Sequence, residues 1–399
     1  MRNSTILICL LMVLIMILSP NTLGKAGGGS AISWNFIHQI IHPNVTGADE
    51  VACGDINGDG NMDIVCPENE ESQGIWWHRN LGGNPPEWKR ASKVTSLHED
   101  WTGERGWMGT WIGDFDGDGD IDIVSGAKGS FSGINQPVFW FENAKGDGTV
   151  WQEYVLPVSG DIIDNCRSAD FDGDSRDEII VQKYHGSGVY YLDCPSSLDP
   201  RETGNWRVYK IGEGRCGLSL ADVDGDGNLD ILVDNKWLRN PGNPAQENWR
   251  ALVITDAPEG VKNGAGDMNG DGRIDIAMSS EEGTGIWWFE APEDPIKGRW
   301  IRHTLSEDYV GVHTLWLADF NSDGNLDILT AEMHTKGEHR VTIFENIDGG
   351  RRWAEHAIAT TGSHNATAFD LNGDKKPDIV GCNFRNTENP LEVWYNNML

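Results

Sequence analysis

The stretch "GDFDGDGDIDIVSG" (113–126) puts Asp114, Asp116, Asp118, Asp120 and Asp122 on alternate positions. Like charges so close repel, so such a run is either a solvated acidic loop or a cage for a cation. Recurrence favours the cage: a nine-residue version of the pattern begins at seven places. Its positions 1, 3, 5 and 9 hold Asp55, Asn57, Asp59 and Asp63, then Asp114, Asp116, Asp118 and Asp122. They go on as Asp170, Asp172, Asp174 and Glu178, then Asp222, Asp224, Asp226 and Asp230. The last three sets are Asp267, Asn269, Asp271 and Asp275; Asp319, Asn321, Asp323 and Asp327; Asp370, Asn372, Asp374 and Asp378. With a backbone carbonyl at position 7, this is a hard, all-oxygen donor set that suits Ca²⁺, and it lacks the nitrogen or sulfur that transition metals prefer. Glycine at position 6 permits the sharp turn around the ion. Loops 1, 2, 4 and 5 fit in full and loop 6 nearly so, with Ser322 for Gly. Loop 3 departs at Ser175 and Glu178, and loop 7, with Lys375 and Lys376, is the least suited.

A second group of residues could move protons and hold anions. Comparing equivalent positions around the acidic loops shows side chains that differ from repeat to repeat, rich in His, Arg, Lys, Glu and Asn. One patch falls where repeats 6 and 7 meet: His313, Glu332, His334, His364, Asn383 and Arg385. Another falls on repeats 3 and 4: Arg167, Lys183, Tyr184, His185 and Arg215. Imidazoles titrate near neutrality and suit general acid–base work, while arginine pairs with carboxylates. Exposed loop tips also vary freely, so variation alone does not make a site. By contrast His38, His303 and His356 recur at one place in the repeat and read as framework. So do Trp34, Trp88, Trp151, Trp206, Trp249, Trp300 and Trp353. Trp107 and Trp237 stand outside that pattern and are the tryptophans expected to stack on a sugar; the long segment 89–108 is expected to wall the cleft.

The elements that position these groups follow from the repeat. Short apolar runs flank each acidic loop, then come an aromatic run such as "GIWWFEA" (285) and a Trp-led run such as "WIRHTL" (300). Alternating, aromatic-rich runs of this length are strands, so one repeat is four strands, A to D, with the acidic loop between A and B. There are seven acidic loops but six internal Trp-led runs; the missing one is "SWNFIHQII" (33–41), ahead of the first repeat. The expected fold is therefore all-β: a seven-bladed β-propeller of four-stranded blades, closed by the N-terminal strand completing the last blade. A linear solenoid is the alternative and would need caps. The acidic loops then share one face of the ring and the variable positions the other.

The chain begins with a basic residue, an apolar run at 6–18 and small polar residues. Residues 1–25 read as a signal peptide and 26–399 as a single propeller in the secreted, extracellular or periplasmic space. No later segment is apolar enough for membrane insertion. With 62 acidic against 31 basic residues, the charge of −31 disfavours nucleic acid as a partner. Six cysteines follow the apolar run, none at a zinc-binding spacing, and their pairing is open. "NVT" at 44 and "NAT" at 365 are glycosylation sequons.

The "DxDGDGxxD" loops from Asp55 to Asp378 resemble those of the FG-GAP/VCBS-repeat propellers, the family of integrin α-subunit heads, fungal lectins and secreted polysaccharide lyases. The resemblance implies the propeller and several structural calcium ions, and leaves activity to be argued from a site. Two functions are weighed: a lyase that β-eliminates across a uronate in an extracellular poly- or oligosaccharide, and a non-catalytic glycan-binding or adhesion propeller. A lectin should repeat one constellation in several blades, whereas an enzyme concentrates one. The uneven distribution favours the lyase, with His313, His334 or His364 as base or acid and Arg385 and Asn383 on the carboxylate. His185 and Arg215 form the alternative site. A monomer is expected.

Overall fold

The computed structural model describes residues 34–43, 45, 50–68, 74–96, 106–185, 188–256, 260–333, 335–383 and 390–398. The expected signal segment, the Asn44 sequon, His334 and Arg385 lie outside the described residues.

Seven four-stranded antiparallel sheets follow one another, each in the strand order A-B-C-D. In blade 5, for example, the strands are Val261–Gly266, Asp275–Ser280, Thr284–Glu290 and Ile301–Val310. The last blade is completed from the other end of the chain. Strand Phe36–His42 pairs antiparallel with Leu391–Asn396, from Phe36 opposite Asn396 to His42 opposite Leu391. This joins first repeat to last as expected, and for a physical reason: the strand covers the edge of Leu391–Asn396 and holds both ends of the chain in one blade. Additions to the scheme are a two-stranded hairpin, Ser130–Phe131 with Ile134–Asn135, and a single 3₁₀ turn, Thr203–Asn205.

There is no common core. The buried apolar side chains fall into seven clusters, each spanning one seam between neighbouring blades. Strands B and C are buried on both faces and so read as continuous apolar runs, while the outer D strands alternate. Because hydrophobic burial is used up at the seams, the innermost A strands are free to carry polar residues toward the axis.

The framework histidines behave as their recurrence suggested. His38, His303 and His356 lie 2.7, 3.0 and 2.7 Å from Glu392, Glu290 and Glu345. Each also stacks on an indole: Trp394, Trp288 and Trp34. Another expectation fails. Trp107 and Trp237 are fully buried, Trp107 edge-on to Phe139 and Phe141 and Trp237 in the seam between blades 4 and 5, so neither can stack on a sugar. Of segment 89–108, expected to wall the cleft, 89–96 belong to the D strand of blade 1 and Trp107 opens the A strand of blade 2, while 97–105 lie outside the described residues. All six described cysteines are buried free thiols.

Candidate functional site

At the acidic end, the loops share one backbone. The first Asp accepts the N–H groups of positions 5 and 6, as in Asp59 and Gly60 to Asp55 or Asp226 and Gly227 to Asp222. Positions 4 and 6 both take a left-handed φ, even where Ser322, Ser175 and Lys375 replace glycine. The ninth carboxylate has a scaffold duty that its spacing did not reveal. Asp63 accepts Ile56 N–H on one oxygen and Asn80 N–H on the other, and Asp122, Asp230, Asp327 and Asp378 repeat this pair of bonds. It thereby ties the loop to strand C. Burial pushes these groups up, to about 7 for Asp63 and about 8 for Asp327.

An asparagine closing strand C adds a bond between blades. Asn80, Asn143, Asn346 and Asn396 donate their side-chain N–H to the carbonyls of Leu371, Ile56, Met268 and Phe320, each at position 2 of the preceding blade's loop. The "RN", "EN" and "YN" endings of the aromatic runs were the sequence signal for these staples.

Carboxylate oxygens gather within 4.8 Å of one another in three described loops: Asp114, Asp116 and Asp118; Asp170, Asp172, Asp174 and Glu178; Asp222, Asp224 and Asp230. Loop 3, which departs from the pattern in sequence, brings all four carboxylates together. Arginines engage carboxylates in loops 1, 2, 4 and 5, two of the converging sets included: Arg79 meets Asp59, Arg201 meets Asp116, Arg239 meets Asp224 and Asp226, and Arg273 meets Asp271. Lys376 in loop 7 turns away, to the Met398 carbonyl.

The opposite end carries a polar axial cavity. It is lined from the inner strands of blades 3 to 7 and from Glu50 ahead of blade 1, including Arg167, Lys262, Asn263, His313, Thr314, Asn365 and Thr367. Because Lys262 and His313 stand at the start of their A strands, and the acidic loops at the end, this is the far mouth of the channel. The sequon asparagine, Asn365, sits on its wall, with Thr367 buried.

Here the two sequence patches become one. His313 and His364 face each other with ring centroids 4.7 Å apart. Nδ1 of His313 lies 3.3 Å from Glu281, and Nζ of Lys262 lies 3.7 Å from the same carboxylate. Arg215 donates to the Tyr184 hydroxyl at 3.4 Å and lies over its ring, and Tyr184 packs edge-on to His185. Glu281 acts electrostatically on Lys262, His313, Tyr184 and Arg215 alike. Burial, reinforced by His364, pushes His313 down to about 2, so it is a neutral imidazole at physiological pH. Burial works against the Glu281 carboxylate too and is the largest single influence, but Lys262, His313, Cys216 and His364 together outweigh it and hold the group down to about 2. For Lys262, burial opposes the charge, while Glu281 and Asp164 raise its pKa above the ordinary value.

Two sequence candidates belong instead to the scaffold. Glu332 is fully buried and its oxygens accept from the backbone N–H of Val310, Glu338 and Arg340 and from the Arg340 guanidinium, at 2.8–3.1 Å. Asn383 donates to the carbonyls of Thr361 and Gly362 and braces the loop before blade 7. Lys262 and Glu281 were missed because equivalent positions were compared six before, and five and seven after, the acidic ligands. Lys262 is five before Asp267 and Glu281 six after Asp275.

The FG-GAP-like repeat model matches residues 55–125, 114–181, 222–278, 267–330 and 319–381. The chain belongs to this family. No match begins at loops 3 or 7, the two that depart most from the pattern. No curated protein matches the chain. Among solved structures, BBS1N in complex with ARL6DN aligns with a TM-score of 0.56 at 9% identity, over 92% of this chain and 97% of that one. The rhamnogalacturonan lyase YesW aligns with a TM-score of 0.50 at 14% identity, over 92% and 74%. The exotype rhamnogalacturonan lyase YesX gives 0.50 at 15%, over 90% and 75%. At these identities the likeness is one of fold.

Proposed function

We propose that this FG-GAP propeller is an exported, calcium-stabilised protein that binds an acidic polysaccharide at the channel mouth and cleaves it by β-elimination. The observation that carries the reading is a polar cavity lined by Arg167, Lys262 and His313, with Glu281 and His364 against His313 and the Arg215–Tyr184 pair in the field of Glu281. The constellation occurs once, whereas a lectin site would recur by blade. YesW and YesX are rhamnogalacturonan lyases, and their fold is the one found here.

In this reading the His313 imidazole, on the cavity wall, accepts the proton α to a uronate carboxylate. As that C–H bond breaks, a C=C bond forms and the β C–O bond to the leaving sugar breaks. The Tyr184 hydroxyl, which accepts a hydrogen bond from Arg215, is the acid that protonates the leaving oxygen in this reading. Arg215 and Lys262 stabilise the charge that builds on the carboxylate. Calcium belongs to the other end: the converging carboxylates of loops 2, 3 and 4 are hard oxygen donors, and a bound ion would offset their repulsion there.

Incubation with a panel of uronate-containing polysaccharides should yield an unsaturated, ultraviolet-absorbing product. His313→Asn and Arg215→Met should each reduce its formation about 100-fold or more without moving the melting temperature. Binding without any unsaturated product would replace the lyase reading by the glycan-binding one. Full activity in both variants would remove these residues from the chemistry.

A further inference from the structure

Ion pairs to buried carboxylates at the end of the ring opposite the acidic loops are not alike. Arg340 closes on Glu332 at 2.8 Å within a set of five donors. Arg167 closes on Glu50 at 2.8 Å, also donates to the Cys166 carbonyl, and rests on the Trp111 ring. Lys262 and Glu281 stay 3.7 Å apart, beyond hydrogen-bonding distance, although their side chains are only 9% and 7% exposed. One Glu281 oxygen has no hydrogen-bond partner. Neither nitrogen of His313 has one either, nor does the Thr367 hydroxyl, and His313 is itself nine-tenths buried. Buried polar groups are almost always satisfied, so a gathering of unsatisfied donors and acceptors beside one cavity marks the place of a polar ligand.

The charges say which kind. A desolvated ammonium needs an anion in contact, and the Glu281 carboxylate paired with it is too far away to hydrogen-bond it. We propose that Lys262 is the specificity-determining residue for an acidic sugar, taking its carboxylate, and that Glu281 is the internal carboxylate against which the sugar competes. The remaining groups suit the ligand's hydroxyls: His313 offers one donor and one acceptor, and Thr367 can do either. The inference rests on the proposed saccharide site, but not on cleavage. Glu281 has a cost for affinity, because an arriving carboxylate must share Lys262 with it. It also has a use: it keeps the ammonium charged and in place when no ligand is bound.

The test is calorimetric titration of the whole protein with D-glucuronate and D-galacturonate, and with D-glucose and D-galactose as neutral counterparts. At least one uronate should bind tenfold or more tightly than its neutral counterpart. Lys262→Met should abolish that difference, and Glu281→Gln should tighten the uronate several-fold while leaving the neutral sugar unchanged. Should Lys262→Met fail to fold, the Glu281→Gln arm decides alone. Equal binding of acid and neutral sugars, no uronate binding, or looser uronate binding in Glu281→Gln would overturn the assignment. A retained preference in folded Lys262→Met would do the same. Preference without polysaccharide cleavage would keep this inference and overturn the lyase reading. Cleavage with the preference intact in Lys262→Met would do the reverse.

Discussion

At the acidic end of the ring, Asp63, Asp122, Asp230, Asp327 and Asp378 make the same two backbone bonds in their respective blades. At the mouth, five residues before each first Asp, the seven blades carry Glu50, Gly109, Asn165, Gly217, Lys262, Thr314 and Asn365. Both ends are made by the same strands. The acidic end repeats one solution: a sharp turn in all seven loops and, in six blades, a bond from the ninth carboxylate to the end of strand C. The mouth is a single cavity, so each blade adds a different part and repetition would serve no purpose. Sameness in a repeat protein thus marks what each unit needs for itself, and difference marks what the units build together.

Four experiments probe that contrast, beginning with the one on which both ends depend. Removing residues 36–42 would strip blade 7 of its outer strand and expose the edge of Leu391–Asn396. Insoluble or unfolded protein is expected; a soluble product with the parent melting temperature would show that closure lies elsewhere. Next, chelation should act on the acidic end. An ion bound only by the folded state contributes about 2.7 kcal/mol per site at a hundredfold excess over its dissociation constant. Several sites should therefore give a large fall in melting temperature, restored by added calcium. An unchanged melt of demonstrably metal-free protein would leave the acidic loops as hydrogen-bonded turns only.

A finer comparison sits within the acidic end itself. Asn346 donates across a seam to Met268 as well as to Leu326 of its own blade, whereas Asn240, at the same place in blade 4, donates to Leu229 and accepts from Gly242, both of its own blade. Loss of the buried bonds in Asn346→Ala should cost about 2–3 kcal/mol, and Asn240→Ala about 1 kcal/mol, by urea denaturation. Equal losses would mean the inter-blade bond adds nothing.

The smallest effect belongs to the mouth. His313 is lowered to about 2 in the folded state by burial and His364, with Lys262 opposing its protonation and Glu281 favouring it. Its unfolded value is the ordinary one, about 6.5. Between these values the unfolded chain binds the extra proton, so stability is lost as pH falls below about 6.5, by up to about 1.4 kcal/mol per pH unit. Glu281, held down to about 2, stays ionised across that window. His313→Asn should flatten the acid limb of the stability profile between pH 6.5 and 5 by that slope. Identical limbs in the two proteins would show that His313 takes up its proton normally when folded.

How far the sequence reached can be seen residue by residue. The strand order, the blade count and the closing strand were legible, because repeats in register and a count of Trp-led runs need no coordinates. The pairing of His38, His303 and His356 with the framework was legible for the same reason. Trp237 was misread: standing outside a pattern says nothing about burial, and its ring fills the seam between blades 4 and 5. Glu332 was misread because a variable acidic position can be occupied by a partner from its own loop, here Arg340.

What the sequence alone determined is local and periodic: where each strand starts, where each turn takes a left-handed residue, and where seven sets of carboxylates collect. These depend on neighbours within about ten residues and recur, so register reveals them. The tertiary structure decided which unlike residues meet. Arg215, Lys262, Glu281, His313 and His364 belong to four different blades, and only closure of the ring turns their A-strand ends toward one axis. Charge states were settled there too: burial keeps the His313 imidazole neutral, while Glu281 and Asp164 keep the buried Lys262 ammonium charged.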